Sequence, residues 1–216
     1  MIKNIFFDFN GTLLNDTKLC YEIESEMLKQ ENLPSISLEF YLDNFCFPVK
    51  KYYELAGFDV SDENFQKLSN IFFSLYTNRQ EKETSLNEGV KRNLEKFKRD
   101  GYKLYILSAS EEKILKIQLK QLGILEYFDD VVACKNVLAL GKIEYGKLFI
   151  KENNIDPSMT LMIGDTYHDY EVAEALGLKP VLYTNGHNSR KVLERTNAPS
   201  VDSFDEFYDL VKKIDK

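Results

Sequence analysis

The chain has 216 residues, 44% of them hydrophobic, and a formal net charge of -7. That length and apolar content suit one sizeable core with a smaller attached unit and exclude collagen-like or disordered classes. The negative balance argues against nucleic acid as a partner. No apolar run approaches the roughly 18 residues of a membrane span, and no basic-then-apolar leader opens the chain. A cytoplasmic protein, monomeric or a weak homodimer, is therefore expected. Cys20, Cys46 and Cys134 are widely spaced without a C-x-x-C pair, so they read as buried thiols rather than as a disulfide framework or a zinc site.

The first predicted element is a strand, Ile2 to Asp8, an apolar run that ends in a carboxylate and passes into Asn10-Gly11-Thr12. Residues from about Asn15 to Thr84 carry no strand-like alternation and read as four helices. Asp16 or Thr17 opens the first, which runs to about Gln30, and Ser37 caps the second with Glu39 near its start. Pro48 begins the third, which Gly57 ends, and Ser61 opens a fourth that reaches about Arg79.

Beyond that point strands alternate with helices: Tyr102 to Ser108, Asp130 to Cys134, Thr160 to Gly164 and Pro180 to Thr184. The helices between them, Leu86 to Asp100, Glu111 to Leu122 and Asp169 to Leu176, each meet a glycine at the end: Gly101, Gly123 and Gly177. This alternation predicts an α/β protein with a doubly wound, Rossmann-like parallel sheet, residues 1–14 and 85–216, interrupted by an all-helical unit, residues 15–84. The two chain crossings, near Leu14 to Asp16 and Glu81 to Leu86, are the expected hinges.

Ligands of open parallel sheets sit beyond the carboxyl ends of the strands, and Asp8, Ser108 and Asp165 all fall at such ends. A cluster of carboxylates there is costly without a cation, and hard oxygen ligands favour Mg²⁺. Asp165 and Asp169 also read more simply as an acidic pair at a helix N-terminus.

The set Asp8-Phe9-Asn10-Gly11-Thr12, Ser108, Lys142 and Gly164-Asp165 through Asp169 resembles the four signature motifs of the haloacid dehalogenase-like hydrolases, in order and across almost the whole chain. The helical unit resembles that family's cap, in the manner of phosphoglycolate phosphatase-like relatives. The resemblance implies that Asp8 attacks phosphorus, with Mg²⁺ held by Asp8, Asp165, the backbone carbonyl of Asn10 and, directly or through water, Asp169. It also implies that Ser108 and Ala109 bind the phosphoryl group, that Lys142 neutralises its charge and that Thr12 lies close by. Lys147 competes with Lys142 for the lysine role, with exposed helix as its plainer reading. His187, in the polar run after the last predicted strand, reads as a surface residue.

Asn10 departs from the pattern, because the family's phosphatases carry there an aspartate that protonates the leaving group. Loss of a general acid-base group costs about 10²–10⁴ in rate, so slow or selective turnover is expected, and Asn10→Asp is expected to speed hydrolysis of alkyl phosphates. The leading expectation is a Mg²⁺-dependent phosphohydrolase of a small phosphorylated metabolite. The alternatives are a catalytically impaired relative that binds a phosphometabolite or partner, and a phosphonate-cleaving enzyme with Lys50 or Lys51 as its amine. Phe45, Phe47 and Tyr52 are expected to pack the core of the cap.

Overall fold

The computed structural model describes residues 1–134 and 141–215. The buried run of the first strand, β1 (Asn4–Phe7), leads through β2 (Leu14–Asn15) into four helices: α1 (Thr17–Gln30), α2 (Leu38–Asn44), α3 (Val49–Ala56) and α4 (Asp62–Glu83). The chain returns through β3 (Ser85–Leu86) to α5 (Val90–Arg99), β4 (Lys103–Glu111), α6 (Glu112–Gln121), β5 (Asp130–Cys134) and α7 (Lys142–Glu152). It closes with β6 (Thr160–Gly164), α8 (Tyr167–Leu176), β7 (Lys179–Tyr183), α9 (Arg190–Leu193), β8 (Ser200–Val201) and α10 (Phe204–Ile214).

Six strands form one parallel sheet in the order β5-β4-β1-β6-β7-β8, which is the doubly wound arrangement with β1 at its centre. Alternation along the strands divides the core into two layers. Ile5, Phe7, Leu104, Ile106 and Ile163 pack with Leu94, Phe97, Leu115 and Phe207 of α5, α6 and α10. Phe6, Tyr105, Leu107 and Met162 pack with Val172, Ala173 and Leu176 of α8.

The predicted elements differ from the observed ones where pairing overrides pattern. The helix expected from Leu86 begins at Val90, because Ser85 and Leu86 pair with Asn15 and Leu14 in a short antiparallel ribbon. The two chain crossings thus lie side by side. β4 runs past Ser108 to Glu111, with its register to β5 shifting between Leu107 and Glu111. β8, only two residues long, escaped the sequence pattern.

The helical cap has its own core of Leu19, Ile23, Met27, Tyr41, Tyr52 and Leu68. Two of its helix ends follow the local signals: the Ser37 side chain accepts from Phe40 N at 3.0 Å, and Gly57 closes α3 at a φ of 101°. Glu24 is buried in this core at 2% exposure, and its Oε2 accepts the Tyr52 hydroxyl at 2.7 Å. Burial pushes the Glu24 carboxyl from near 4.5 up to about 7, with the Tyr52 hydrogen bond opposing. An acid raised in this way leaves stability intact below its unfolded value and withdraws it as pH climbs through the folded one. Glu24→Gln should therefore raise stability at about pH 8, by an amount on the order of 2–3 kcal/mol, and change it little at about pH 4. Thermal melts at the two pH values check this, and equal shifts at both would contradict it.

Candidate active site

β1 delivers Asp8, β6 delivers Asp165, and the first turn of α8 carries Asp169, so three carboxylates meet at the carboxyl edge of the sheet. Their oxygens lie within 4.8 Å of one another. Lys142, the first residue of α7 and only 6% exposed, places Nζ 2.6 Å from Asp8 Oδ1 and 2.6 Å from Asp169 Oδ1. Asp169 divides its work between its two oxygens. Oδ1 takes Lys142, while Oδ2 completes the capping box of α8 by accepting Thr166 N at 2.9 Å and Thr166 Oγ1 at 2.6 Å. Asp169 thus stands at the helix terminus and in the carboxylate cluster at once.

Asp165 is fully buried and held on both oxygens, Oδ1 by the Thr12 hydroxyl at 2.7 Å and Oδ2 by His187 N at 2.7 Å. Two glycines make room for it. A Cβ on Gly186 would stand 2.2 Å from Asp165 Cβ, and one on Gly11 would stand 2.2 Å from Asp165 Oδ2, at a φ of 74° that already disfavours a side chain.

Beside this cluster lies a second one that the sequence did not reveal. His187 is 5% exposed rather than on the surface, and its Nε2 lies 3.2 Å from Asp16 Oδ1 while Nδ1 lies 2.7 Å from the Tyr41 hydroxyl. Asp16, whose expected role was to open α1, makes no cap hydrogen bond. Its carboxylate turns inward instead, accepting Gly11 N at 2.8 Å, Asn10 Nδ2 at 2.7 Å and the Tyr76 hydroxyl at 2.7 Å. The strand-end rule that located Asp8 also points to the loop after β7, in which His187 lies four residues past Tyr183. Nothing in the sequence marks Tyr41 or Tyr76.

Burial pushes Asp8 up to about 8, with Asp169 and Asp165 adding to the shift and Lys142 opposing it, and burial likewise lifts Asp165 to about 6. Burial also works against charge on His187, yet the Asp16 hydrogen bond and the surrounding carboxylates outweigh it and push the imidazole up to about 9. It is therefore a cation at neutral pH, donating from both ring nitrogens. Asp16 and Asp169 stay below the usual carboxylate range despite burial, through His187 and Lys142 respectively. With all four acids ionised, Asp8, Asp16, Asp165 and Asp169 would exceed the two buried cations Lys142 and His187 by two charges, which one divalent ion would balance while holding Asp8 in its ionised form. The donor set of hard oxygens fits Mg²⁺.

The remaining predicted residues separate clearly. Ser108 is buried, with its hydroxyl accepting Ser110 N at 3.2 Å, and Ala109 beside it is exposed. Thr12 spends its hydroxyl proton on Asp165. Lys147 pairs with Glu144 at 3.0 Å on exposed helix, away from the buried position that Lys142 fills. Lys50 pairs with Asp62 at 2.5 Å at the cap surface, and Lys51 is exposed. Tyr52 packs the cap core as expected. Phe45 packs partly against the cap core and reaches His187 as well, ring to ring at 5.1 Å, whereas Phe47, contrary to expectation, is exposed and outside that core, its ring 4.8 Å from His168 of α8. Cys20 is buried and Cys46 only half-buried, while the Cys134 side chain lies outside the described residues. No helix among the described residues is long and apolar enough to cross a membrane.

A doubly wound sheet with an acidic, lysine-bridged cluster at its carboxyl edge and a helical insertion after β1 defines a class of hydrolases. Residues 5–183 match the family described as haloacid dehalogenase-like hydrolase, and the chain belongs to that family. A phosphoglycolate phosphatase of Pectobacterium atrosepticum is 24% identical over 223 residues, covering 99% of this chain and 92% of that protein. The pyrophosphatase PpaX of Bacillus velezensis is 25% identical over 179 residues, covering 82% and 81%. Among solved structures, a haloacid dehalogenase-like family hydrolase from Streptococcus pneumoniae superimposes with a TM-score of 0.84 at 20% identity, covering 97% of this chain and 98% of that one.

Proposed function

We propose that the protein is a Mg²⁺-dependent phosphohydrolase of a small phosphorylated metabolite, working through an aspartyl-phosphate on Asp8. The observation that carries this reading is Lys142 Nζ at 2.6 Å from both Asp8 and Asp169, which holds a buried carboxylate and a cation together at the ligand-binding edge of the sheet. Asp8 would bond phosphorus as the leaving oxygen departs, and water would then hydrolyse the acyl phosphate, dividing one difficult step into two. Ser108 and Lys142 would receive the phosphoryl oxygens. Asp8, Asp165 and the backbone carbonyl of Asn10 would hold Mg²⁺, with Asp169 adjacent, and the bound ion would shield the attacking carboxylate from an anionic substrate.

Asn10 cannot protonate a leaving group, which favours substrates whose leaving groups depart as stable anions, such as acyl, aryl or phosphoryl groups. The names of the two relatives make phosphoglycolate and pyrophosphate the first compounds to try. A screen of phosphorylated metabolites for phosphate release, with and without Mg²⁺, tests the reading. Release that does not need a divalent ion, or no release from any member of a broad panel, would overturn it. For the metal site, Asp165→Ala should weaken Mg²⁺ binding measured by calorimetry by at least about tenfold, because a buried hard ligand is lost. Unchanged affinity would remove Asp165 from the ligand set.

A further inference from the structure

Asn10 and Asp16 meet side chain to side chain in a way that bears on why residue 10 is an amide. The Asn10 NH₂ lies 2.7 Å from Asp16 Oδ2 and 2.9 Å from the Tyr76 hydroxyl, and its Oδ1 accepts the Ser110 hydroxyl at 3.3 Å. Both amide hydrogens and the amide oxygen are committed. Asp16 in turn receives five donors, from Asn10, Gly11, Tyr76, His187 and, at 3.9 Å, the Cys20 thiol. Asn10, Gly11 and His187 belong to the α/β core. Tyr76 lies on α4 of the cap, and Tyr41, behind His187, lies on α2. One buried carboxylate therefore joins the loop after Asp8, the loop after β7 and two cap helices. A carboxylate at position 10 would meet Asp16 at hydrogen-bond distance with no proton between them.

We propose that Asp16 is a positioning residue that holds the cap against the Asp8 loop, and that residue 10 is an amide because it must donate to Asp16. The joint is a property of the fold, and only its kinetic consequence rests on the phosphohydrolase reading. The pair should tolerate exchange of its charge. With Asn10→Asp and Asp16→Asn combined, the amide at position 16 can receive Gly11 N and His187 on its oxygen and donate to position 10 and Tyr76 from its NH₂. Restoring a carboxylate at position 10 alone, which the sequence suggested would speed catalysis, is expected to do the reverse.

The test is a double-mutant cycle of wild type, Asn10→Asp, Asp16→Asn and the exchanged pair, with three measurements. These are melting temperature, hydrogen exchange of segments 14–16 and 84–86, and kcat and KM for p-nitrophenyl phosphate with Mg²⁺. Each single variant should melt at least about 4 °C lower, exchange faster at both crossings and raise KM by about tenfold or more. The exchanged pair should recover the melt and the exchange pattern to near wild type, which a merely local loss of packing would not allow. A wild-type melt and exchange pattern in Asn10→Asp, or an exchanged pair no better than the single variants, would overturn the proposal. If none of the four proteins turns over phosphate esters while melting and exchange follow the cycle, the joint stands and the phosphohydrolase reading falls.

Discussion

Asp8→Asn is expected to lower phosphate release by at least about 10⁴-fold, because an amide cannot form the aspartyl-phosphate and nucleophile loss typically removes nearly all rate enhancement. The same change should not harm the fold. Burial and two neighbouring acids raise the Asp8 carboxyl to about 8, so its contribution to stability is full at low pH and is lost as pH rises through that value. An amide carries no such penalty. Without a divalent ion, the variant should therefore melt at or above wild type at about pH 8. Phosphate release and a thermal melt on the same preparation decide the matter. Wild-type turnover in this variant would assign the chemistry to another residue, and a collapsed melt would show that Asp8 is needed for folding.

Lys142→Met is expected to be costly in both respects. Lys142 is 6% exposed and bridges two buried carboxylates, so its removal leaves Asp8 and Asp169 facing each other without compensation. Breaking a buried pair of this kind costs about 3–5 kcal/mol, and loss of one preorganised donor to a phosphoryl group costs about 10²–10³ in turnover. A second change, Asp169→Asn, should recover part of the stability by removing one of the orphaned charges, without recovering turnover. Lys147→Ala is the control, since that ammonium pairs with Glu144 on exposed helix, and it should be neutral in both respects. Denaturant melts and kcat measurements on the three variants check this. Full activity in Lys142→Met together with loss in Lys147→Ala would reverse the assignment of the lysine.

The α/β alternation, the helical insertion and the strand-end acids Asp8 and Asp165 were legible in the sequence because their signals are local. Apolar runs of strand length, glycine stops and N-terminal caps all lie within a few residues of the structure they specify. The acidic start of α8 is such a signal, and in the structure Asp169 forms the capping box there with Thr166. The order of the strands, with β1 at the centre, and the sixth strand β8 came from the structure alone, since neither leaves a local signal.

What only the tertiary structure decided is how residues far apart in the chain share charge. Asp16 reads locally as a helix cap, and becomes the acceptor for Asn10, Tyr76 and His187 only when α4 and the loop after β7 close around it. His187 reads locally as part of a polar loop, and becomes a buried cation only because Asp16 and Tyr41 meet it there. Asn10 taken alone suggests a missing acid, whereas beside Asp16 it is the donor that a buried carboxylate requires. The difference is physical: periodicity and capping depend on neighbours three or four residues away, while the protonation and hydrogen-bond partners of a buried group depend on every charge within a few ångströms, whatever its distance along the chain.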